Sequence, residues 1–168
     1  FQIIRPQRAY FGQKDAQQVA VITRMVTDLN LPVALRVLPT IRETDGLAMS
    51  SRNSYLTQRT RASAAVLYKA LLAGQQAFGI TTTHDPAEVA RAMQQVVAGE
   101  AEARLDYAEV RNPNTFLPLT TLQAPALLLI AVSFGSTRLI DNFLLRVDGT
   151  WNTGSMQNRG EQKLSVSW

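Results

Sequence analysis

One pattern near the N-terminus constrains the fold more than any other. Ala9 to Phe11 read as the end of a short buried strand, which Gly12 breaks. Asp15 to Leu29 read as a helix, with Ile22, Met25, Val26 and Leu29 at helical spacing on one face. Asp15 is placed to cap that helix, with Gln18 three residues on in the capping-box position. Val33 to Leu38 then form a β-branched and aliphatic run typical of a second strand. Strand, short loop, helix, strand is a βαβ unit, and a βαβ unit implies a parallel sheet.

Pro39 closes this unit, and the pattern changes after it. Arg42 to Tyr55 is a polar loop with Gly46 and three hydroxyls, Ser50, Ser51 and Ser54. Helical spacing resumes at Thr57 and runs to Phe78, with Gly79 as its stop. Asp85-Pro86-Ala87-Glu88 marks a second helix start, reaching Gly99. Leu105 to Arg111, Ala126 to Phe134 and Arg138 to Asn142 read as strands, the last two joined by a tight Gly135-Ser136 hairpin. Asp141-Asn142 is taken to terminate the final strand. Met25 and Met93 are read as helix packing, and Tyr107 and Phe116 as packing in the second half. The expected organisation is α/β. Residues 1–40 form part of a parallel-sheet domain, 41–148 a small α+β domain with an antiparallel sheet, and 149–168 a disordered linker or tail.

Composition excludes several function classes. The chain has no cysteine, so disulfides, thiolate metal sites and a cysteine nucleophile are out, in keeping with a cytoplasmic location. Its longest apolar run, Ala126 to Val132, is far short of the ~20 residues of a membrane helix. Phe1 to Arg5 lack a signal-peptide layout, and Phe1 is not a start methionine, so the chain is expected to begin inside a longer protein. The net charge of +4 suits a polyanionic small substrate. The basic residues are scattered and not interleaved with aromatics, which weakens a nucleic-acid reading.

Two clusters carry potential chemistry. Gly12-Gln13-Lys14-Asp15, with Gln18, lies at a strand-to-helix turn, where α/β sheets bind ligands beyond the carboxyl ends of their strands. Backbone N–H groups there attract phosphate, and Lys14 adds a mobile cation. A purely structural account also exists: Gly12 turns, Asp15 caps, Gln18 completes the box and Lys14 is solvated. Taken alone, that account is favoured. The second cluster, Asp45 to Asn53, offers Ser50, Ser51 and Arg52 on a glycine-containing loop able to wrap phosphates. Its serines could equally satisfy local backbone donors, and the two readings stand level. His84 precedes a helix start and is read as a surface residue.

Together the clusters are far more specific. Tyr10 to Gln18, Val37-Leu38-Pro39, Asp45 to Leu56 and Arg138 to Asn142, in this order and spacing, resemble the pantoate–β-alanine ligase (pantothenate synthetase) family over Phe1 to Leu145. The resemblance implies a Rossmann-like nucleotidyltransferase core, here its C-terminal part, followed by a lid domain. It implies that ATP activates pantoate as an acyl-adenylate, releasing pyrophosphate, and that β-alanine then attacks to give pantothenate and AMP. On this resemblance Gly12, Gln13, Lys14, Asp15, Ile41, Met49, Ser50, Ser51 and Arg52 contact ATP, and Gln18 contacts pantoate. Lys14 and Arg52 would stabilise phosphate charge. Mg²⁺ would accompany the triphosphate, with no ligand nameable. Gln13 stands where many members have glutamate.

The family's His-x-Gly-His signature is not in this chain, so no catalytic residue is assigned and the chain alone is expected to be inactive. The resemblance further implies a homodimeric parent, no membrane and no nucleic-acid partner. A subgroup of the family is fused to a cytidylate kinase, and the end of this chain shows no phosphate-binding glycine loop. The alternatives are another adenylyltransferase, a synthetase-like RNA-binding module, or a non-catalytic interaction module.

Overall fold

The computed structural model describes residues 1–82 and 84–156. Strand β1 (Arg8–Gly12) turns into helix α1 (Ala16–Asp28), and the chain returns as β2 (Ala34–Leu38). β1 and β2 pair in parallel, from Arg8 opposite Ala34 to Gly12 opposite Leu38. The βαβ order is as expected. The Asp15 carboxylate accepts from the Gln18 backbone N–H at 3.1 Å, satisfying one of the donors that a helix start leaves open.

The burial of this unit is not as expected. Val37 and Leu38 are 47% and 43% exposed, and α1 has no buried residue. Met25, expected to pack, is exposed as well. The cause lies in the architecture: parallel strands are buried when layers cover both faces of a broad sheet, and this sheet has two strands.

The second half begins at β3 (Ile41–Arg42) and a 3₁₀ turn, Ser51–Tyr55. Helices α2 (Gln58–Ser63), α3 (Val66–Ile80) and α4 (Pro86–Ala98) follow. The single helix expected from Thr57 to Phe78 is therefore two. Ala64 and Ala65 form a turn between them, both buried, while the Ser63 hydroxyl donates to Glu100 at 2.9 Å. Gly79 does not stop α3, which runs one residue further and ends with the Thr81 N–H on the Ala77 carbonyl at 3.0 Å. The Asp85-Pro86 start of α4 forms as read, with the Asp85 carboxylate accepting from the Ala87 N–H at 2.8 Å.

Strands β4 (Arg104–Arg111), β5 (Ala126–Phe134), β6 (Thr137–Leu145) and β7 (Trp151–Asn152) build an antiparallel sheet in that order. Gly135, at φ +59°, supplies the left-handed residue of the β5–β6 hairpin. All nine residues of β5 are buried. Its even-numbered side chains join the core made by α3 and α4, where Val89, Met93 and Val97 line one helical face. Burying each such side chain stabilises the fold by about 1.5–3 kcal/mol.

Two expectations fail near the C-terminus. β6 does not end at Asn142 but continues to Leu145. Residues 151–156, expected as tail, instead form β7 and β8 (Ser155–Met156). β8 pairs in parallel with β3, and Trp151 meets Phe78 edge-on at 5.5 Å. Residues 157–168 of that tail lie outside the described residues. Among the described residues no helix is long and apolar enough to cross a membrane.

Candidate functional site

The two sequence clusters meet where the βαβ unit adjoins the antiparallel sheet. Gly12 ends β1, and the Gln13 backbone N–H continues the pairing to the Leu38 carbonyl at 2.8 Å. Lys14 and Asp15 follow at the mouth of α1. Lys14 is half-buried, and its ammonium is held below its usual pKa. Burial is the main cause; the Arg52 and Arg42 charges push the same way, and Asp141 and Asp15 oppose them. Lys14 and Arg52, far apart in sequence, therefore lie in one electrostatic neighbourhood.

The second cluster is shaped by Arg42. A short antiparallel return brings Met49 N–H to the Ile41 carbonyl at 2.9 Å and Glu43 N–H to the Leu47 carbonyl at 2.9 Å. Ile41 and Met49 are thus backbone neighbours, both with exposed side chains. Gly46 makes the return possible: its φ is +90°, and a Cβ there would fall on the Tyr68 ring. Arg61 braces the outside of the loop through Asp45 at 2.6 Å, which holds the Asp45 carboxyl below its ordinary range.

Ser50 caps the 3₁₀ turn, its hydroxyl accepting from the Arg52 N–H at 3.2 Å. Ser51 and Arg52 are exposed, and Ser54 donates to the Ser51 carbonyl at 2.7 Å. The structural account of Ser50 and Asp15 therefore holds in this state. It leaves Lys14, Ser51 and Arg52 open to a ligand. Gln18 lies on the exposed face of the first turn of α1.

Three residues to which the sequence reading gave no part in the site organise it. Arg42, nearly inaccessible to solvent, forms a bidentate pair with Asp141: Nη1 to Oδ2 at 2.6 Å and Nη2 to Oδ1 at 3.0 Å. Its Nη1 also donates to the Gly46 carbonyl at 2.9 Å and its Nε to the Thr153 carbonyl. The Tyr68 and Phe143 rings flank the guanidinium, at 4.9 and 5.3 Å. Asn142, also buried, donates through Nδ2 to the Gln13 carbonyl at 2.9 Å and the Lys14 carbonyl at 3.0 Å. Gln13 Nε2 answers by donating to Asn142 Oδ1 and to the Asn152 carbonyl, each at 3.2 Å.

Asp141-Asn142 is thus not a strand terminator but the polar centre of β6. The available signal was two polar residues interrupting Leu139-Ile140 and Phe143-Leu144-Leu145, a pattern that demands buried partners. Their side chains leave opposite faces of the strand. Asp141 faces the helices, beside Phe143. Asn142 faces α1, beside Leu144, along a groove of about 560 Å³ lined by Gln13, Ala16, Ala20, Leu127, Leu144 and Asn152. Lys14, Gln18 and Arg52 do not line this groove. Among the described residues no group of three or more His, Cys, Asp or Glu could hold a metal ion.

Comparison with known proteins bears on this arrangement. The family model described as pantoate-beta-alanine ligase matches residues 1–144. The pantothenate synthetase of Chloroflexus aurantiacus is 50% identical over 151 residues, covering 89% of this chain and 53% of its own length. The bifunctional pantoate ligase/cytidylate kinase of Trichormus variabilis is 49% identical over 146 residues, 86% of this chain and 27% of its own. Among solved structures, the pantothenate synthetase of Thermus thermophilus superposes with a TM-score of 0.79 at 47% identity, covering 84% of this chain and 51% of that one. A pantoate-beta-alanine ligase from Francisella tularensis, complexed with beta-gamma ATP and beta-alanine, matches with a TM-score of 0.56 at 29% identity, covering 85% and 45%. The chain spans about half the length of the pantothenate synthetases it matches.

Proposed function

Since the chain belongs to the pantoate–β-alanine ligase family, we propose that it supplies the phosphate-contacting part of an enzyme that joins pantoate to β-alanine at the expense of ATP. The observation that carries this reading is that Asp141-Asn142 ties the Gln13-Lys14 turn to the Arg42–Gly46 return, which brings Lys14 within the field of Arg52. Among the described residues neither cation is in a salt bridge, and although Asp141 and Asp15 also act on Lys14, two such cations suit a polyphosphate. In this reading β1, α1 and β2 belong to a Rossmann-like nucleotidyltransferase core, and the whole enzyme is a homodimer with no nucleic-acid partner.

The chemistry needs charge stabilisation and orientation more than a strong base. A carboxylate is a poor acyl donor, and adenylation gives it a leaving group. Lys14 and Arg52 would balance the negative charge that develops as pyrophosphate departs. Backbone N–H groups at the start of α1 would add donors to the same phosphates. Ile41 and Met49, adjacent and exposed, offer an apolar surface for the nucleotide. Gln18 would hold pantoate through its amide. Magnesium enters as part of the MgATP substrate; the described residues offer no cage for it, and no step is routed through a protein-held ion. Asp15 caps α1 through one carboxylate oxygen and would meet ATP through the other.

Two measurements test this. Isotope-labelled chain titrated with ATP should shift the resonances of Lys14, Ser51 and Arg52, and Lys14→Ala or Arg52→Ala should weaken binding by about tenfold or more. Mixing the chain with the N-terminal half of the Thermus thermophilus relative should restore pyrophosphate release from pantoate and ATP. If both variants release pyrophosphate like the unaltered chain, the site assignment is wrong. Tight, salt-sensitive tRNA binding would instead favour the synthetase-like alternative.

A further inference from the structure

The residues proposed to meet phosphate sit on two separate segments, yet a single dipeptide holds both. Asn142 spends three of the four hydrogen bonds its side-chain amide can make on the first segment. Both Nδ2 hydrogens go to consecutive carbonyls, those of Gln13 and Lys14, and Oδ1 receives Gln13 Nε2. Asp141 spends both carboxylate oxygens on Arg42, whose Nη1 also holds the Gly46 carbonyl within the second segment. Asp141 Oδ1 further accepts from the Asn142 N–H at 2.8 Å, locking the pair to each other.

The direction of these bonds matters. In a planar trans peptide the carbonyl and the following N–H point in opposite directions. Drawing the Gln13 and Lys14 carbonyls toward β6 therefore turns the Lys14 and Asp15 N–H groups away from it. Asn142 thereby sets the orientation of two backbone donors at the mouth of α1. Core packing alone does not require this, because the bonds run to turn carbonyls and not to another strand.

We propose that Asp141-Asn142 is a positioning element for the phosphate site, fixing the Lys14 turn and the Arg42-to-Arg52 loop in one frame. This rests on the reading of Lys14 and Arg52 as phosphate contacts. It makes Asn142 a positioning residue that acts through the 13–14 backbone without touching substrate. It also assigns Gln13 a role different from direct contact with ATP: its amide completes the Asn142 pair and reaches the Asn152 carbonyl.

The test uses the 168-residue chain with Asn142→Ala and the volume-conserving Asn142→Asp, which cannot donate to the two carbonyls when ionised. Two readouts are taken: amide hydrogen exchange at every site, and ATP affinity by resonance titration. Exchange at Gln13 and Val19, whose amides bond the Leu38 and Asp15 carbonyls on either side of the turn, should quicken at least about tenfold in either variant while β5 and β6 amides keep their rates. ATP affinity should fall about tenfold, and far less when Lys14→Ala is already present, because the two act through one contact. Unchanged exchange at Gln13 and Val19 would overturn the proposal. So would uniform acceleration through β5 and β6, which marks a general structural role, or losses that simply add to those of Lys14→Ala. If the unaltered chain does not bind ATP at all, the phosphate reading fails by itself, and the exchange pattern still decides whether Asn142 orients the turn.

Discussion

Removing the Asp141 carboxylate should be among the most damaging single changes this fold can suffer. In Asp141→Ala, Arg42 loses both of its charge-assisted bonds, at 2.6 and 3.0 Å, and keeps only the Gly46 and Thr153 carbonyls. The guanidinium cannot reach water, since its side chain is 1% exposed, and it cannot shed its proton. Breaking a buried pair in this way costs about 3–5 kcal/mol. A domain of this size has roughly 5–15 kcal/mol in total. With a urea dependence of about 1–3 kcal/mol per molar, the unfolding midpoint should fall by roughly 2 M. Urea unfolding followed by far-ultraviolet circular dichroism measures this directly. The double variant Arg42→Met/Asp141→Leu removes both charges and should recover a large part of the loss. A cost below about 1 kcal/mol for Asp141→Ala, or a double variant less stable than the single, would refute the argument that an uncompensated buried cation is what destabilises.

Other outcomes follow from the same geometry. Lys14 has a folded-state pKa below its ordinary 10.5; between those two values the unfolded chain holds a proton that the folded chain does not, so stability should rise with pH there, and Lys14→Met should flatten that slope in pH-dependent unfolding. ATP affinity should decline over the same range as the ammonium is lost, which a pH series of titrations would show. Gly46→Ala should cost about 1–3 kcal/mol, because φ +90° and the Tyr68 ring both exclude a Cβ; an unchanged melting temperature would contradict this. Ending the chain at Thr150 removes the Thr153 carbonyl from Arg42 and Trp151 from Phe78, and should lower stability by about 1–3 kcal/mol in thermal unfolding.

Local signals in this sequence are legible where backbone chemistry dictates them. Gly12 and Asp15 punctuate β1 and α1, Asp85-Pro86 opens α4 and Gly135-Ser136 closes the β5–β6 hairpin, each through a turn or cap that few other residues provide. Tertiary decisions were harder to see. The alanine pair at 64–65 is helix-favouring in itself and keeps near-helical dihedrals, so nothing in the residues announces the turn that separates α2 from α3. Apolar β1, α1 and β2 look buried by pattern, but burial depends on neighbouring layers that residue spacing cannot describe. For the site, the Lys14 and Arg52 segments stood out as sequence motifs. Arg42 did not, and Asp141-Asn142, though within a recognised motif, gave no sign of their role, because their partners are backbone carbonyls and charges far away in the chain.

The alternation of β6 has a consequence for how chains of this kind can change in length. Asp141 and Asn142 reach their partners because one faces each side of the strand. Inserting a single residue between Ser136 and Asp141 would turn both around, sending the carboxylate toward two carbonyl oxygens and the amide toward a guanidinium. Inserting two would restore the faces but shift the pair along the strand by about 7 Å, beyond the reach of either partner. The Arg146–Thr150 turn bears no such constraint. Insertions and deletions in homologous chains should therefore collect in that turn and be missing from β6, so that an alignment alone could show where the frame of the site lies.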